Sequence, residues 1–331
     1  MKRLSIFIFF VFVLAAQLCE AQISLRDGTT FYFATVNEAR KILTSRDDFI
    51  QRLSPFDRAA RMKTDKRVSE KEYLEFVGKN VLEWNNSEKQ KVTNALKGIQ
   101  KKLEPFSLPF PKKVFLIKTT GNEEGRAPYT RANAIILPKA EILTSVVKIR
   151  KTIYHELFHI LSRANHKLRE KLYAVIGFVK CDEVEFPAEL KQLKITNPDA
   201  PINDHCIFIK IRGKDSWAIP ILFSVAQKYN TARGGEFFEY LQFQFLLVER
   251  QNKAPNVRAS YDGRRPRLAG VQQISGFFEQ IGRNTEYIIH PEEILADNFA
   301  LLILGEHNVP SKEIIKTMEG ILRKKGQANQ S

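Results

Sequence analysis

His155-Glu156-Leu157-Phe158-His159 is the stretch of the chain whose residue types and spacing could do chemistry. It reads H-E-x-x-H inside a run with helical periodicity from Lys139 to Ala164. Residues four apart on an α-helix lie one turn above each other on the same face. Two imidazoles at that spacing can bind one zinc ion, and the glutamate between them can reach a water held by the metal. The chemistry this implies is zinc-dependent hydrolysis. The competing reading makes both histidines ordinary structural residues of a buried helix.

A hydrolytic zinc site takes three protein ligands and keeps a position open for water. Completion by a nearby third histidine needs the pattern H-E-x-x-H-x-x-G-x-x-H. Here Ser162 and Asn165 hold the glycine and histidine positions, and His166 comes one residue late. Glu293 and Asp297 offer another completion. They are four apart on a predicted helix whose first position suits Pro291. Glu293 can bind the metal while Asp297 accepts a hydrogen bond from a ligand histidine and fixes its tautomer. Ala296 and Ala300 are small enough to let this helix approach the first one closely. Glu292 and Glu183 stand as the other candidates for the third ligand.

H-E-L-F-H followed far downstream by E-I-L-A-D-N-F-A resembles the gluzincin branch of the zincin metallopeptidases. The E-x-x-A-D-x-x-A form is most similar to the membrane CAAX-type and heat-shock peptidases, whose membrane helices this chain lacks. The resemblance covers Tyr129 to Arg163 and His290 to Leu304, and the gap between the two motifs is long for the branch. It implies His155, His159 and Glu293 as zinc ligands, Glu156 as general base and Asp297 as orienter of a ligand histidine. It also implies a peptide or protein substrate and one zinc per chain. The tetrahedral oxyanion of peptide hydrolysis needs a donor besides the metal. Tyr287 and His290, just ahead of the Glu293 helix, are the first candidates for this catalytic role, and Tyr129 and His205 are alternatives.

The elements that must position these residues read as an α+β chain, mostly helical, with a small sheet beside the H-E-x-x-H helix. Residues 22–104 read as an N-terminal helical lobe, with helices at Val36–Leu43, Asp47–Leu53 and Pro55–Met62. Ser69 and Glu72 form a capping box ahead of Tyr73–Leu82. Ser87 opens a longer amphipathic run through Leu103. Residues 105–331 then form the metallopeptidase-like domain, zincin-like if the resemblance holds. Val114–Ile117 reads as a buried strand. A second strand, Ala127 to Pro138, leads into the H-E-x-x-H helix; either Asn133-Ala134 on it binds a substrate backbone by strand addition or it is an ordinary core strand. His166 breaks the helical run before Leu168–Val175.

Cys206–Ile211, Trp217–Val225 and Phe237–Val248 read as an antiparallel β insertion at about 204–250. Gln251–Leu268 reads as an exposed loop and Ile274–Ile281 as a short helix. Ser311 is the expected cap of a last helix.

The 331 residues, 44% hydrophobic and 27% charged, suit a globular protein with a large core. A basic start, an apolar run from Leu4 to Ala16 and Cys19-Glu20-Ala21 read as a signal peptide over residues 1–21, cut after Ala21. A secreted or periplasmic protein is therefore expected. No later stretch reaches the ~18 apolar residues of a membrane span. Cys181 and Cys206 would remain, free to form one disulfide in an oxidising compartment. The net charge of +15 is spread along the chain without a nucleic-acid motif. Weak attraction to anionic surfaces follows from it, and a nucleic-acid partner does not. The alternative function is a non-catalytic zinc-containing envelope or binding protein. An intact Glu156 argues against it, since a structural site has no use for a base.

Overall fold

The structure is a computed structural model that describes residues 23–25, 28–250 and 255–324. The expected leader with its cut after Ala21, and the polar tail from 325, lie outside these residues. The described chain is α+β, with thirteen α-helices and two main sheets.

The first sheet contains β1 (Ile23–Ser24), β2 (Thr30–Phe33), β3 (Val81–Leu82), β4 (Lys113–Thr119), β5 (Tyr129–Arg131) and β6 (Ala134–Pro138). Its order is β1-β2-β4-β6-β5, with β3 against the far end of β4. β2 and β6 run parallel to β4, and β5 is an antiparallel edge. Alternate residues of a strand face opposite sides, and here both sides are covered. Leu116, Ile135 and Leu137 enter the larger core, while Ile117, Ala134 and Ile136 enter a second one.

The second core is closed by α1 (Val36–Leu43), α2 (Asp48–Arg52), α3 (Pro55–Arg61) and α4 (Glu70–Asn80). The Ser69–Glu72 pair forms a capping box on α4, and Thr35–Glu38 and Ser54–Asp57 do the same on α1 and α3. The sheet draws strands from both sides of the boundary expected at 104. Residues 22–104 thus contribute β-structure as well as helix, and Phe31 shares a core with the later helices.

Three further expectations shift. The run expected from Ser87 begins at Asn86, because Asn85 rather than Ser87 caps it and pairs with Glu88. It also divides at Gly98, in the left-handed region at φ 78°, into α5 (Asn86–Leu96) and α6 (Ile99–Leu103). The strand expected from Ala127 to Pro138 is the β5–β6 hairpin, turning at Ala132-Asn133. Asn133 is therefore not on the open edge: its carbonyl accepts from Phe115 N and its Nδ2 donates to Lys113 O. Ala134 is interior, paired on both sides, and the edge strand is β5, whose residues are all buried.

The helical run from Lys139 divides into α7 (Lys139–Ile142) and α8 (Val146–Ala164), since the Ser145 side chain caps α8 through the Lys148 N–H. α9 (His166–Val175) follows at once. The second sheet is the expected antiparallel insertion. It has β7 (Phe178–Lys180), β8 (His205–Ile211), β9 (Lys214–Ser224) and β10 (Leu241–Arg250), with β8-β9-β10 as a meander. Phe237–Tyr240 is a short 3-10 turn rather than the start of a strand. The loop expected from Gln251 carries short paired strands, among them Val257–Ala259 against β10.

Between β7 and β8 lies α10 (Ala188–Lys191), and the chain ends with α11 (Phe277–Ile281), α12 (Pro291–Leu304) and α13 (Lys312–Leu322). Ser311 stands at the start of α13, but its hydroxyl accepts the Arg283 N–H instead of capping the helix. α12 is buried on nearly every side, as a helix apolar all round must be. It packs along α8, with Ala296 and Ala300 fully buried and the Phe158 and Phe299 rings 5.7 Å apart.

Candidate metal centre

α8 projects His155, Glu156 and His159 toward α12, and α12 returns Glu292, Glu293 and Asp297. One ligand atom from each of His155, His159 and Glu293 falls within 4.8 Å of the others. Glu293 Oε2 lies 3.1 Å from His155 Nε2 and 3.6 Å from His159 Nε2. The two imidazole rings stand nearly perpendicular, with centroids 4.9 Å apart.

Each histidine is held from behind by a carboxylate. His155 Nδ1 lies 2.9 Å from Asp297 Oδ1, and Thr285 donates its hydroxyl to the other oxygen of Asp297. His159 Nδ1 lies 3.1 Å from Glu292 Oε1, and Ser162 (2.8 Å) and Tyr173 donate their hydroxyls to Glu292 Oε2. A carboxylate at Nδ1 fixes the proton there and leaves Nε2 as the lone-pair nitrogen. Both Nε2 atoms therefore face Glu293. The other Glu293 oxygen, Oε1, accepts a 2.6 Å hydrogen bond from Asn197 Nδ2.

Two buried polar atoms here have no hydrogen-bond partner, His159 Nε2 and Glu156 Oε2. Each such atom costs about 1–3 kcal/mol. A cation held by His155, His159 and Glu293 would satisfy the first, and a water beside it would satisfy the second. The residues present therefore fit a metal ion.

The electrostatics carry the same signature. Burial pushes Glu156 up to about 8, and the nearby Asp199 adds to the rise. Burial alone would lower His159, but the charges of Asp199 and Glu293 and the Glu292 hydrogen bond raise it to about 9. His155 is likewise raised, because its bonds to Asp297 and Glu293 outweigh burial. Glu293 is held at about 2, where the two histidines overcome its burial.

The remaining candidates fall in different places. Tyr287 is 41% exposed, and its ring lies over His155 at 6.5 Å with 27° between the planes. His290 is the cap of α12, where its Nδ1 accepts the Glu292 N–H at 3.1 Å. Burial lowers it to about 4, so it is neutral at pH 7. The Tyr129 hydroxyl points to Glu123, and both nitrogens of His205 are engaged, by Asp204 and Glu170. Glu183 pairs with Arg52 at 2.7 Å, outside the group of ligand atoms. Glu292 stands behind His159 as its orienter.

Sequence reasoning missed Ser162, Tyr173, Thr285, Asn197 and Asp199. Ser162 had a usable signal, since it lies one turn beyond His159 on the same face. Asn197 and Asp199 had none, because a loop brings them in from the connection before β8. Asp199 contributes a carboxylate oxygen within 4.8 Å of ligand atoms of both Glu156 and His159. Cys181 and Cys206, which could form a disulfide, are both buried free thiols.

No protein-family model, curated protein or solved structure matches the chain. Among the described residues, no helix is long and apolar enough to cross a membrane.

Proposed function

We propose that the chain is a zinc-dependent peptidase of the gluzincin type, acting on peptide or protein substrates. The observation that carries this reading is an unpartnered, buried Glu156 carboxylate oxygen beside three converging ligand atoms. A purely structural metal site gives no reason to keep a buried, destabilising acid there. Two imidazoles and one carboxylate are a donor set that suits zinc. Zinc held by His155, His159 and Glu293 would supply a Lewis acid that polarises the scissile carbonyl and acidifies water.

Glu156 takes the proton of the attacking water and delivers it to the leaving amine, its ionised form favoured by a cation at the ligand atoms. Asp297 and Glu292 keep the two imidazoles in the ligating tautomer. Tyr287, stacked over His155, is the better placed of the two oxyanion candidates, because His290 is occupied as a helix cap. β5 is the edge strand nearest the site and would offer backbone groups to an extended peptide once the Thr130 N–H is released from Asp199. With its apolar leader the protein is exported, and mature secreted material should begin at Gln22.

A second reading, a closed non-catalytic zinc site, is favoured by one observation, the nearness of the Asp199 carboxylate. The test separates the two. Wild type should bind about one zinc per chain, and His155→Ala should lose it. Glu156→Gln should keep the zinc and lose hydrolysis of an unfolded protein by about 10²-fold or more. A zinc-free wild type refutes both readings, and equal turnover by Glu156→Gln removes the peptidase.

A further inference from the structure

The segment 196–200 runs past the candidate site and touches three of its working parts. Asn197 donates to Glu293 Oε1 at 2.6 Å. Asp199 Oδ1 accepts the Thr130 backbone N–H at 2.7 Å and its hydroxyl at 2.5 Å. The same carboxylate group reaches within 4.8 Å of ligand atoms of Glu156 and His159. Thr130 is the middle residue of β5, and this N–H points away from β6 into the open edge. It is the donor that an incoming peptide would need for strand addition.

A negatively charged side chain that takes the edge donor, and also sits beside the base, stands where a bound peptide's carbonyl would stand. We propose that residues 196–200 form a built-in latch, with Asp199 occupying the substrate's place on β5 and holding the enzyme in a latent state. This rests on the peptidase reading given above and adds its regulation.

The two ends of the segment are held differently. Thr196 is fixed in the interior: its N–H and hydroxyl donate to Asp57, and its carbonyl accepts from Arg61 Nη2 at 2.9 Å. Ile195 N donates to Leu222 O. The far end is held by Asp199 itself and by Arg163, whose Nη2 contacts the Thr130 hydroxyl at 2.8 Å and the Asp199 carbonyl at 3.4 Å. α3 of the N-terminal region thus anchors the latch through Asp57 and Arg61, and only the Asp199 end must yield for a substrate to enter. An apolar hollow lined by Pro128, Phe237, Phe238 and Leu241 lies beside that end, on the path a displaced segment would open.

The test uses the full zinc-loaded chain as wild type, Asp199→Ala and Asp199→Asn. Three quantities are measured: zinc affinity by competition with a chromophoric chelator, affinity for a peptide hydroxamate by calorimetry, and turnover of an unfolded protein. A site closed most of the time weakens apparent binding by the fraction that is open. Asp199→Ala should therefore bind the hydroxamate about tenfold tighter or more and turn over faster, with zinc affinity unchanged. Asp199→Asn, which keeps the acceptor oxygen but not the charge, should fall between, and decides by the same sign if the alanine variant fails to fold. Weaker zinc binding in Asp199→Ala overturns the latch by making Asp199 a metal ligand. Unchanged or weaker hydroxamate binding overturns it as well. Failure of the peptidase reading is visible beforehand, as wild type without zinc or without turnover by any variant.

Discussion

Two clusters of buried charge touch residues 196–200, one at Thr196 and the other at Asn197, and they differ in one respect. In the first, Arg61 donates through Nε and Nη2 to Glu124 at 2.9 and 2.6 Å, and through Nη1 to Asp57 at 2.5 Å. The Thr196 carbonyl takes a further bond, and the guanidinium lies 4.2 Å from the Phe237 ring centroid. Every Arg61 nitrogen has a partner. In the second, Glu156, His159 and Glu293 are buried and His155 is 15% exposed, yet His159 Nε2 and Glu156 Oε2 have no partner. A closed network of this kind fixes geometry, whereas a network with open valences in the interior is built around something else. Unpaired buried atoms also occur at Glu123, Tyr154 and Arg169, so what marks the site is that two of them sit beside three converging ligand atoms.

The sharpest way to break the comparison is to open the closed cluster. Arg61→Met leaves Asp57 and Glu124 without their countercharge in the interior and should cost about 3–5 kcal/mol. Denaturant unfolding at pH 7 measures it. A loss below about 1 kcal/mol would mean that the cluster is no tighter than a surface pair. The same variant removes the bond to the Thr196 carbonyl, one of those that anchor the latch, so the latch should loosen with it.

Next in size is the support behind the metal ligands. Glu292→Gln keeps the shape behind His159 but removes the charge that Ser162 and Tyr173 also address. Loss of such a partner typically costs about 10–100-fold in metal affinity, so zinc should still bind at saturation but release sooner to a chelator. The Glu292 side is the drier one: the His159 side chain is 1% exposed and that of His155 is 15%. Unchanged zinc affinity in Glu292→Gln would remove Glu292 from the site and leave Asp297 as the sole orienter.

How much of this was legible beforehand follows from the range over which each signal acts. The H-E-x-x-H face, the capping box at Ser69 and the apolar surround of Glu293 are local patterns, set by helical spacing and readable within a turn or two. The pairing of α8 with α12 was legible only as a match of chemistry, two nitrogens seeking a carboxylate and small residues allowing close approach. The hairpin at Ala132-Asn133 was hidden because an alanine takes the left-handed position, at φ 50°, where glycine is the usual sign. Asn197 and Asp199 were illegible for a different reason. Nothing local distinguishes them from other loop residues, and their position is set by Thr196 docking on Asp57, a contact between residues 139 apart in the chain. Contacts of that range decide which loop crosses a site, and no pattern within the loop reports them.

The smallest effect tests the open valence directly, through pH. Glu156 is raised from 4.5 to about 8, with burial the main cause and Asp199 next. Between those values the metal-free folded protein keeps a proton on this group that the unfolded chain has lost. Stability must then fall as pH rises through the window, since the state binding more protons is disfavoured by their removal. Glu156→Gln cannot ionise, so it removes this dependence and nothing of the shape. Metal-free wild type and Glu156→Gln should be similarly stable near pH 4.5. By pH 8 the variant should be the more stable, the gap opening progressively across this window. Adding zinc to wild type should shrink the gap, because a cation beside the carboxylate favours its charged form. Chemical unfolding at the two pH values, with and without zinc, gives all four numbers. A variant no more stable at pH 8 would place the Glu156 carboxylate in contact with solvent or a hidden partner, and the contrast with the Arg61 cluster would then lose its basis.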